Sequence, residues 1–244
     1  MSEIQSCFKR YEKKYMLTHR QYWAMLRGMA DYMRPDEHPR YTIGNIYCDT
    51  PDFDLIRTSL EKPVYKEKLR LRSYGVPKDS GAAFVEIKKK FQGVVYKRRV
   101  TVTAAEANRW VRGGRPPQES QISREIDWFL HFYNPAPAVY IAYDREAYAG
   151  VENGDLRVTF DRNLRARCTE LDLRAGDWGS PILREDRILM EIKIPGAAPL
   201  WLARLLSENG IVSTSFSKYG SWYAQAVQHH EATVDFLKEA RSIA

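Results

Sequence analysis

The chain has 244 residues, of which 44% are hydrophobic and 28% charged, a balance typical of a folded globular protein rather than a disordered or fibrous one. Lysine and arginine number 38 against 31 aspartate and glutamate, and the net charge of +7 suggests a polyanionic partner such as nucleic acid, an anionic membrane or polyphosphate. The sequence has no run near the roughly 18 apolar residues of a membrane span, no secretory signal and no CxxC motif, so we predict a cytoplasmic protein. The length and the lack of a Gly/Ser-rich linker predict a single domain over residues 1–244.

The N-terminal third predicts two strands and two helices. The strands cover Phe8 to Met16 and Arg40 to Cys48. Thr18 is a suitable N-cap for a helix whose apolar residues recur at helical spacing. A short second helix is expected to begin near Pro51, because proline is favoured in the first turn, and to end before Pro63.

The middle of the chain is rich in strand-forming residues. Three β-prone runs cover Val64–Tyr74, Ala83–Lys90 and Val94–Val102. The last two are separated by only three residues, which predicts a hairpin. Thr103 and Glu106 then form a capping-box pattern that opens a helix.

The remaining elements again mix helices and strands. They are a helix over Ile122–Phe132, strands over Val139–Tyr148, Leu156–Asp161 and Ile188–Ile194, and helices over Pro199–Glu208 and Ser221–Ala240. About eight strands, mostly joined as hairpins and without regular βαβ alternation, predict an α+β fold with an antiparallel sheet. Eight antiparallel strands are enough to close a barrel or tunnel.

Basic residues recur at alternate positions of several predicted strands, and alternate positions face the same side. The longest example is the third strand, with Lys66, Lys68, Arg70 and Arg72. Four other strands carry Arg10, Glu12 and Lys14; Glu86, Lys88 and Lys90; Arg157, Thr159 and Asp161; and Glu191 and Lys193. A single such strand would be interpreted as half-buried with a solvated polar face.

The repetition favours a phosphate-binding surface. Like charges at neighbouring positions repel and cost stability unless a polyanion neutralises them. Arginine matches phosphate oxygens in a bidentate way, and lysine adds point charge. The carboxylates among the cations would suit a divalent metal that bridges carboxylate and phosphate oxygens. The sequence has neither a P-loop nor a Rossmann glycine motif.

Motifs spread over nearly the whole chain, in order, resemble the vacuolar transporter chaperone (VTC) polyphosphate-polymerase domain of the CYTH-like triphosphate tunnel metalloenzymes. They are RYEKKY from Arg10, YCDTPDF from Tyr47, KEKLRLRSY from Lys66, FVEIK from Phe84, YDR from Tyr143, RVTFD from Arg157, MEIK from Met190 and FSKY from Phe216. Such an ordered set is much more specific than any single motif.

The resemblance implies an eight-stranded antiparallel β-barrel tunnel with helices packed outside and at the ends. It also implies a polymerase that transfers the ATP γ-phosphate to a growing polyphosphate chain with Mn²⁺ or Mg²⁺. The basic residues that match the family's phosphate contacts, and to which we assign catalysis, are Lys14, Arg70, Arg72, Lys88, Lys97, Arg145, Arg157 and Lys218. Of these, Lys97, Arg145 and Lys218 depend mainly on the resemblance.

Further site residues complete the prediction. Tyr143 and Ser217 match the family's smaller polar contacts, and Glu191 matches its metal ligand. Alternation adds Arg10, Lys68 and Lys193 as substrate-binding residues, and Glu12 and Glu86 as metal candidates. For both Glu12 and Glu86, neutralisation of neighbouring cations is an equally good interpretation. Arg165 and Arg167 lie beyond their predicted strand and are expected at the surface.

Three functions remain open at this point. The partners implied by the resemblance are ATP and inorganic polyphosphate or pyrophosphate, and no nucleic acid is expected. A tri- or polyphosphatase would use the same tunnel with water as acceptor. The broader group begins with Glu-x-Glu-x-Lys, whereas Arg10 replaces the first Glu here, which weakens the case for a two-metal triphosphatase. A non-enzymatic module for polyphosphate, inositol phosphates or RNA is the third alternative.

Overall fold

The computed structural model describes residues 11–92 and 94–229. The candidate residue Arg10, the start of the first predicted strand and the end of the last predicted helix therefore lie outside the described residues. The described chain forms two compact units. The first unit comprises residues 11–41, 144–163 and 183–216, and the second unit comprises residues 42–143, 164–182 and 217–229.

Ten strands and six helices lie within the described residues. The strands are β1 (Tyr11–Thr18), β2 (Met33–Asp49), β3 (Tyr65–Tyr74), β4 (Ala82–Phe91), β5 (Val94–Thr103), β6 (Ala136–Gly150), β7 (Arg157–Arg167), β8 (Ser180–Pro181), β9 (Arg187–Ile194) and β10 (Ser213–Thr214). The helices are α1 (His19–Gly28), α2 (Asp54–Leu60), α3 (Ala104–Trp110), α4 (Gln121–Tyr133), α5 (Leu200–Glu208) and α6 (Lys218–His229). The two strands beyond the predicted eight, β8 and β10, have two residues each.

In the first unit the strand order is β10-β1-β9-β7-β6. Alternate residues of these strands, such as Leu17, Phe160 and Met190, are buried in one hydrophobic core with residues of α1 and α5. Thr18 is the N-cap of α1, as predicted, and it also forms a capping box with Gln21. Because side chains alternate along a strand, the intervening residues of β1, β7 and β9 project from the opposite face.

In the second unit the order is β6-β2-β3-β4-β5, and β8 lies beside β7. Leu69, Val85 and Val100 of β3 to β5 are buried against α3 and α4, where Trp110 and Phe129 fill the core. The predicted hairpin between β4 and β5 is confirmed by their antiparallel pairing. The α+β class with a mostly antiparallel sheet is confirmed, whereas the pairings of the described strands do not close a barrel.

The prediction that Arg165 and Arg167 lie at the surface was wrong. Strand β7 continues to Arg167 instead of ending at Asp161, so Arg165 is half-buried and only 5% of Arg167 is exposed. The Arg167 guanidinium lies 3.7 Å from the centroid of the Tyr140 ring. It also donates hydrogen bonds to the backbone carbonyls of Glu170, Asp172 and Trp178. These contacts satisfy the buried charge and hold the loop after β7.

Among the described helices, none combines the length and apolar character that crossing a membrane requires.

Candidate functional site

The polar face of β3, β4 and β5 in the second unit, which we call the cation face, carries most of the candidate residues of that unit. Residues directly opposite each other in antiparallel strands project from the same side. The rows across the three strands are Arg70, Glu86 and Arg99, and Lys68, Lys88 and Lys97, with Arg72 two residues after Arg70. The alternation predicted for β3 and β4 is therefore the alternation observed, and it brings these cations together.

Glu86 is the centre of this face, with 1% of its surface exposed. Its carboxylate lies 2.8 Å from Nε of Arg70, 3.7 Å from Nε of Arg72 and 2.5 Å from Nζ of Lys97. Burial alone would raise the pKa of Glu86, but the charges of Arg70, Arg72 and Lys97 outweigh it and lower the pKa to about 2. Three cations thus share one ionised carboxylate, which orders them and leaves an excess of positive charge.

Two residues of β2 that the sequence did not identify also belong to this face. Asn45 and Tyr47 lie opposite Arg72 and Arg70. Arg72 donates from Nε to the side-chain oxygen of Asn45 at 3.0 Å, and Arg70 donates to the Tyr47 hydroxyl at 3.2 Å. Asn45 and Tyr47 are two residues apart and therefore lie on the same face of β2. Their role depends on which strand pairs with β2, and no local sequence pattern predicts that pairing.

Three groups on the cation face have pKa values displaced far from their usual range by their surroundings. Burial lowers the pKa of Lys68 to about 8. Burial also lowers the pKa of Lys97 to about 8, although Glu86 opposes that shift. For Tyr47 burial would raise the pKa, but Arg70, and to a smaller extent Lys218 and Lys68, lower it to about 8.

The first turn of α6 is held against this same unit. Lys218 is buried, and its Nζ lies 4.3 Å from the centroid of the Tyr143 ring, so these two predicted site residues are neighbours. The next residue, Tyr219, donates its hydroxyl proton to the buried carboxylate of Asp49 at 2.7 Å. Ser217 accepts a hydrogen bond from the Gly220 amide at its hydroxyl, at 3.1 Å, and so caps the helix.

The corresponding face in the first unit, which we call the Glu191 face, combines carboxylates with cations. Its rows across β1, β9 and β7 are Lys14, Glu191 and Thr159, and Glu12, Lys193 and Arg157. Lys14 Nζ lies 3.5 Å from Glu191 Oε1 and 3.9 Å from Glu12. It also donates to the Phe216 carbonyl at 3.0 Å.

Arg145 joins the Glu191 face from β6. It donates to both carboxylate oxygens of the fully buried Asp161, at 2.6 and 2.7 Å, and to Glu191 Oε2 at 3.1 Å. This bidentate pair fixes the guanidinium in one orientation beside Glu191. Arg157 is more exposed and is paired with Asp36, and Lys193 is half-buried beside it in the sheet.

The predicted metal ligands lie on different faces, and their surroundings differ in how well they suit a divalent ion. Glu86 is surrounded by three cations, which favours the alternative that it neutralises its neighbours. Glu191 and Glu12 both lie within 4 Å of Lys14, and the described residues contain no group of three His, Cys, Asp or Glu arranged to hold a metal. A divalent ion can be held by one or two carboxylates when substrate phosphates supply further oxygens, and Glu191 with Glu12 fits that donor set.

Comparisons with known proteins give both a family and fold relatives. No curated protein matches the chain. A proposed adenylate cyclase from Bacillus halodurans superposes with a TM-score of 0.53 at 12% identity over 84% of this chain and 92% of its own. The proposed adenylyl cyclase HpAC1 from Hippeastrum, described as having a dominant triphosphatase activity, superposes with a TM-score of 0.50 at 14% identity over 88% of this chain and 95% of its own.

At these low identities the two structures show that the chain shares their fold. The model of the VTC domain family matches residues 9–227, nearly the whole chain. The order of motifs along the sequence and the polar faces of both units are consistent with that match. The chain belongs to the VTC domain family.

Proposed function

We propose that the chain is a polyphosphate polymerase that transfers the γ-phosphate of ATP to a growing polyphosphate chain, with Mn²⁺ or Mg²⁺. The observation that carries this proposal is the cation face, where Arg70, Arg72 and Lys97 surround Glu86. Membership of the VTC domain family supports it. A closed eight-stranded tunnel is a further part of the proposal and is supported by the resemblance. A single domain over residues 1–244 and a cytoplasmic location are proposed from the sequence alone.

The cations would bind and align the phosphates. The guanidinium groups of Arg70 and Arg72 are held in place by Glu86, Tyr47 and Asn45, so little ordering is needed when a phosphate binds. Lys68, Lys88, Lys97 and Lys218 add point charge around them. Fixed positive charge at the places where negative charge develops is the main catalytic effect in phosphoryl transfer, and this chemistry needs no protein nucleophile.

The transfer step is an in-line displacement. A terminal phosphate oxygen of the acceptor chain forms a bond to the γ-phosphorus of ATP. The bond from that phosphorus to the oxygen bridging the β-phosphate breaks, and its electron pair leaves with ADP. Further residues proposed to contact phosphate oxygens are Lys14, Arg145, Arg157, Lys193, Tyr143 and Ser217. Arg10 is proposed for the same role from the sequence alone.

The Glu191 face is proposed to hold the metal. Glu191, assisted by Glu12, would provide the carboxylate ligands, and a bound Mn²⁺ or Mg²⁺ supplies charge neutralisation at the phosphate oxygens. Arg145 keeps the Glu191 carboxylate in a defined orientation through its own pairing with Asp161. Such support of a ligand by neighbouring groups is typical of metal sites.

Product analysis tests the proposal directly. Purified protein incubated with ATP and Mn²⁺ is expected to give polyphosphate and ADP in a metal-dependent manner. The measurement is gel separation of polyphosphate together with quantification of ADP and orthophosphate. Formation of orthophosphate without any polyphosphate would contradict polymerase activity.

A second candidate is a tri- or polyphosphatase on the same surface. It is favoured by the triphosphatase activity described for the Hippeastrum relative, whose fold this chain shares. The two reactions differ only in whether water or a phosphate chain attacks, so the assay above separates them. A non-enzymatic polyphosphate or inositol-phosphate module would bind these ligands and turn over none of them.

The affinity for phosphate chains is expected to fall as pH rises from 7 to 9.5. Lys68 and Lys97, each with a pKa of about 8, lose positive charge over this range, and Tyr47, with a pKa of about 8, gains negative charge. All three changes oppose polyanion binding. We expect tripolyphosphate to bind about tenfold more weakly at pH 9.5 than at pH 7, as measured by calorimetry.

The variant Lys97→Arg is the matched control for this pH dependence. Arginine keeps its charge throughout the range, so the fall in affinity should become shallower. An identical pH profile for the variant and the wild type would exclude Lys97 from the titration.

A further inference from the structure

An aromatic and cationic cluster on the cation face is not used by the proposed transfer step. It consists of Tyr74, Phe84 and Arg99. The Arg99 guanidinium lies over the Phe84 ring, 4.7 Å from its centroid. The Tyr74 ring meets Phe84 edge-on, with centroids 5.7 Å apart and an interplanar angle of 78°.

The cluster adjoins the phosphate-binding residues within the second unit. Phe84 lies opposite Arg72, and Arg99 lies opposite Glu86. Tyr74 follows Arg72 by two residues on β3 and therefore projects from the same face. Phe84 and Glu86 are likewise two residues apart on β4, a separation of about 7 Å.

Exposure separates this cluster from the core aromatics of the same unit. Tyr74 is 49% exposed and Arg99 is exposed, whereas Trp110 and Phe129 are fully buried. Arg99 forms no ion pair with a carboxylate of the described chain, unlike Arg70 and Arg72. An arginine guanidinium stacks well on a nucleobase, and Arg99 is exposed to solvent beside the Phe84 ring.

We propose that Tyr74, Phe84 and Arg99 form a stacking subsite for the base of a nucleoside triphosphate whose phosphates bind Arg70, Arg72 and Lys97. This inference rests on the proposed function and adds to it how the nucleotide is distinguished from inorganic polyphosphate, which has no base. Stacking accepts any base because every base has a π-face. The subsite therefore favours nucleoside triphosphates over tripolyphosphate and discriminates little between ATP and GTP.

The test compares ATP with tripolyphosphate in the variants Tyr74→Ala and Arg99→Ala. Both residues are exposed, so the fold should tolerate their truncation, and Phe84→Leu keeps the apolar volume while removing the ring. Calorimetry with EDTA present measures the dissociation constants of ATP, GTP and tripolyphosphate. Tyr96→Ala is the matched control, since Tyr96 is 47% exposed on the opposite face of β5.

We expect each cluster variant to bind ATP and GTP on the order of tenfold more weakly, with tripolyphosphate affinity changed less than about twofold. The control should leave all three affinities unchanged. Equal weakening of ATP and tripolyphosphate would assign Arg99 to phosphate binding and overturn the subsite, as would wild-type protein that binds ATP no more tightly than tripolyphosphate. Wild-type protein that binds none of the three ligands would reject the proposed function, and the subsite with it.

Discussion

Replacing Glu191 by glutamine is expected to lower Mn²⁺-dependent turnover of ATP on the order of a hundredfold. The amide has the shape of the carboxylate and can still accept a hydrogen bond from Arg145, so the sheet should be undisturbed. It lacks the negative charge that holds a divalent ion. Without metal, tripolyphosphate affinity should be kept or should rise, because a negative charge beside Lys14 has been removed.

Lower Mn²⁺-dependent turnover together with unchanged or stronger metal-free binding of tripolyphosphate would identify Glu191 as a metal ligand. Glu208→Gln serves as the control, since Glu208 is exposed at the end of α5. Unchanged turnover in Glu191→Gln would remove Glu191 from the reaction. Loss of metal-free tripolyphosphate binding in the same variant would indicate a structural role instead.

Replacing Glu86 by glutamine is expected to lower the free energy of unfolding by about 3 kcal/mol. The change leaves Arg70, Arg72 and Lys97 close together without the carboxylate that they share. Removing one partner of a buried ion pair is costly because the remaining charge is left uncompensated. For a chain of this size, thermal unfolding should shift down by about 6 to 12 °C.

Two further measurements distinguish this effect from a simple packing defect. Tripolyphosphate should raise the unfolding temperature of Glu86→Gln more than that of the wild type, because a bound polyanion replaces the missing negative charge. Wild-type stability contributed by Glu86 should be present above its unfolded pKa and lost as pH falls towards 2, since the folded-state pKa is depressed. The variant should lack this part of the acid dependence.

Glu125→Gln is the matched control for the Glu86 variant. Glu125 also pairs with two cations, Lys89 at 2.7 Å and Arg98 at 2.9 Å, but it lies on α4 and is partly exposed. Partly exposed pairs contribute about 1 kcal/mol or less, so the loss should be smaller and independent of tripolyphosphate. Equal losses in both variants, with no extra rescue of Glu86→Gln, would contradict the central role given to Glu86.

Local features of the fold could be predicted because they depend on neighbours along the chain. The caps at Thr18 and Thr103 need only residues three positions away, and both are present. The alternation of Arg70 and Arg72 with Leu69 and Leu71 follows from strand geometry alone. The residues that share the cation face within β3 and β4, and the Glu191 face within each of its strands, were predictable for the same reason.

Contacts between distant segments could not be predicted in this way. The partners of Arg72 and Tyr219 are Asn45 and Asp49, which are 27 and 170 residues away in the sequence. The position of Arg167 depended on how far β7 continues and on which rings lie beside it. Strand order and register are set by the packing of the whole unit, to which each local segment contributes little.

By itself, the sequence determined which residues of each strand turn away from the core, and therefore that lysines, arginines and a few carboxylates share polar faces. Only the tertiary structure decided that Glu86 is shared by three cations, that Tyr47 and Asn45 support two of them, and that Arg99 lies over Phe84. The physical reason is that alternation arises within one strand, whereas each of these contacts requires two strands to be paired in a particular register.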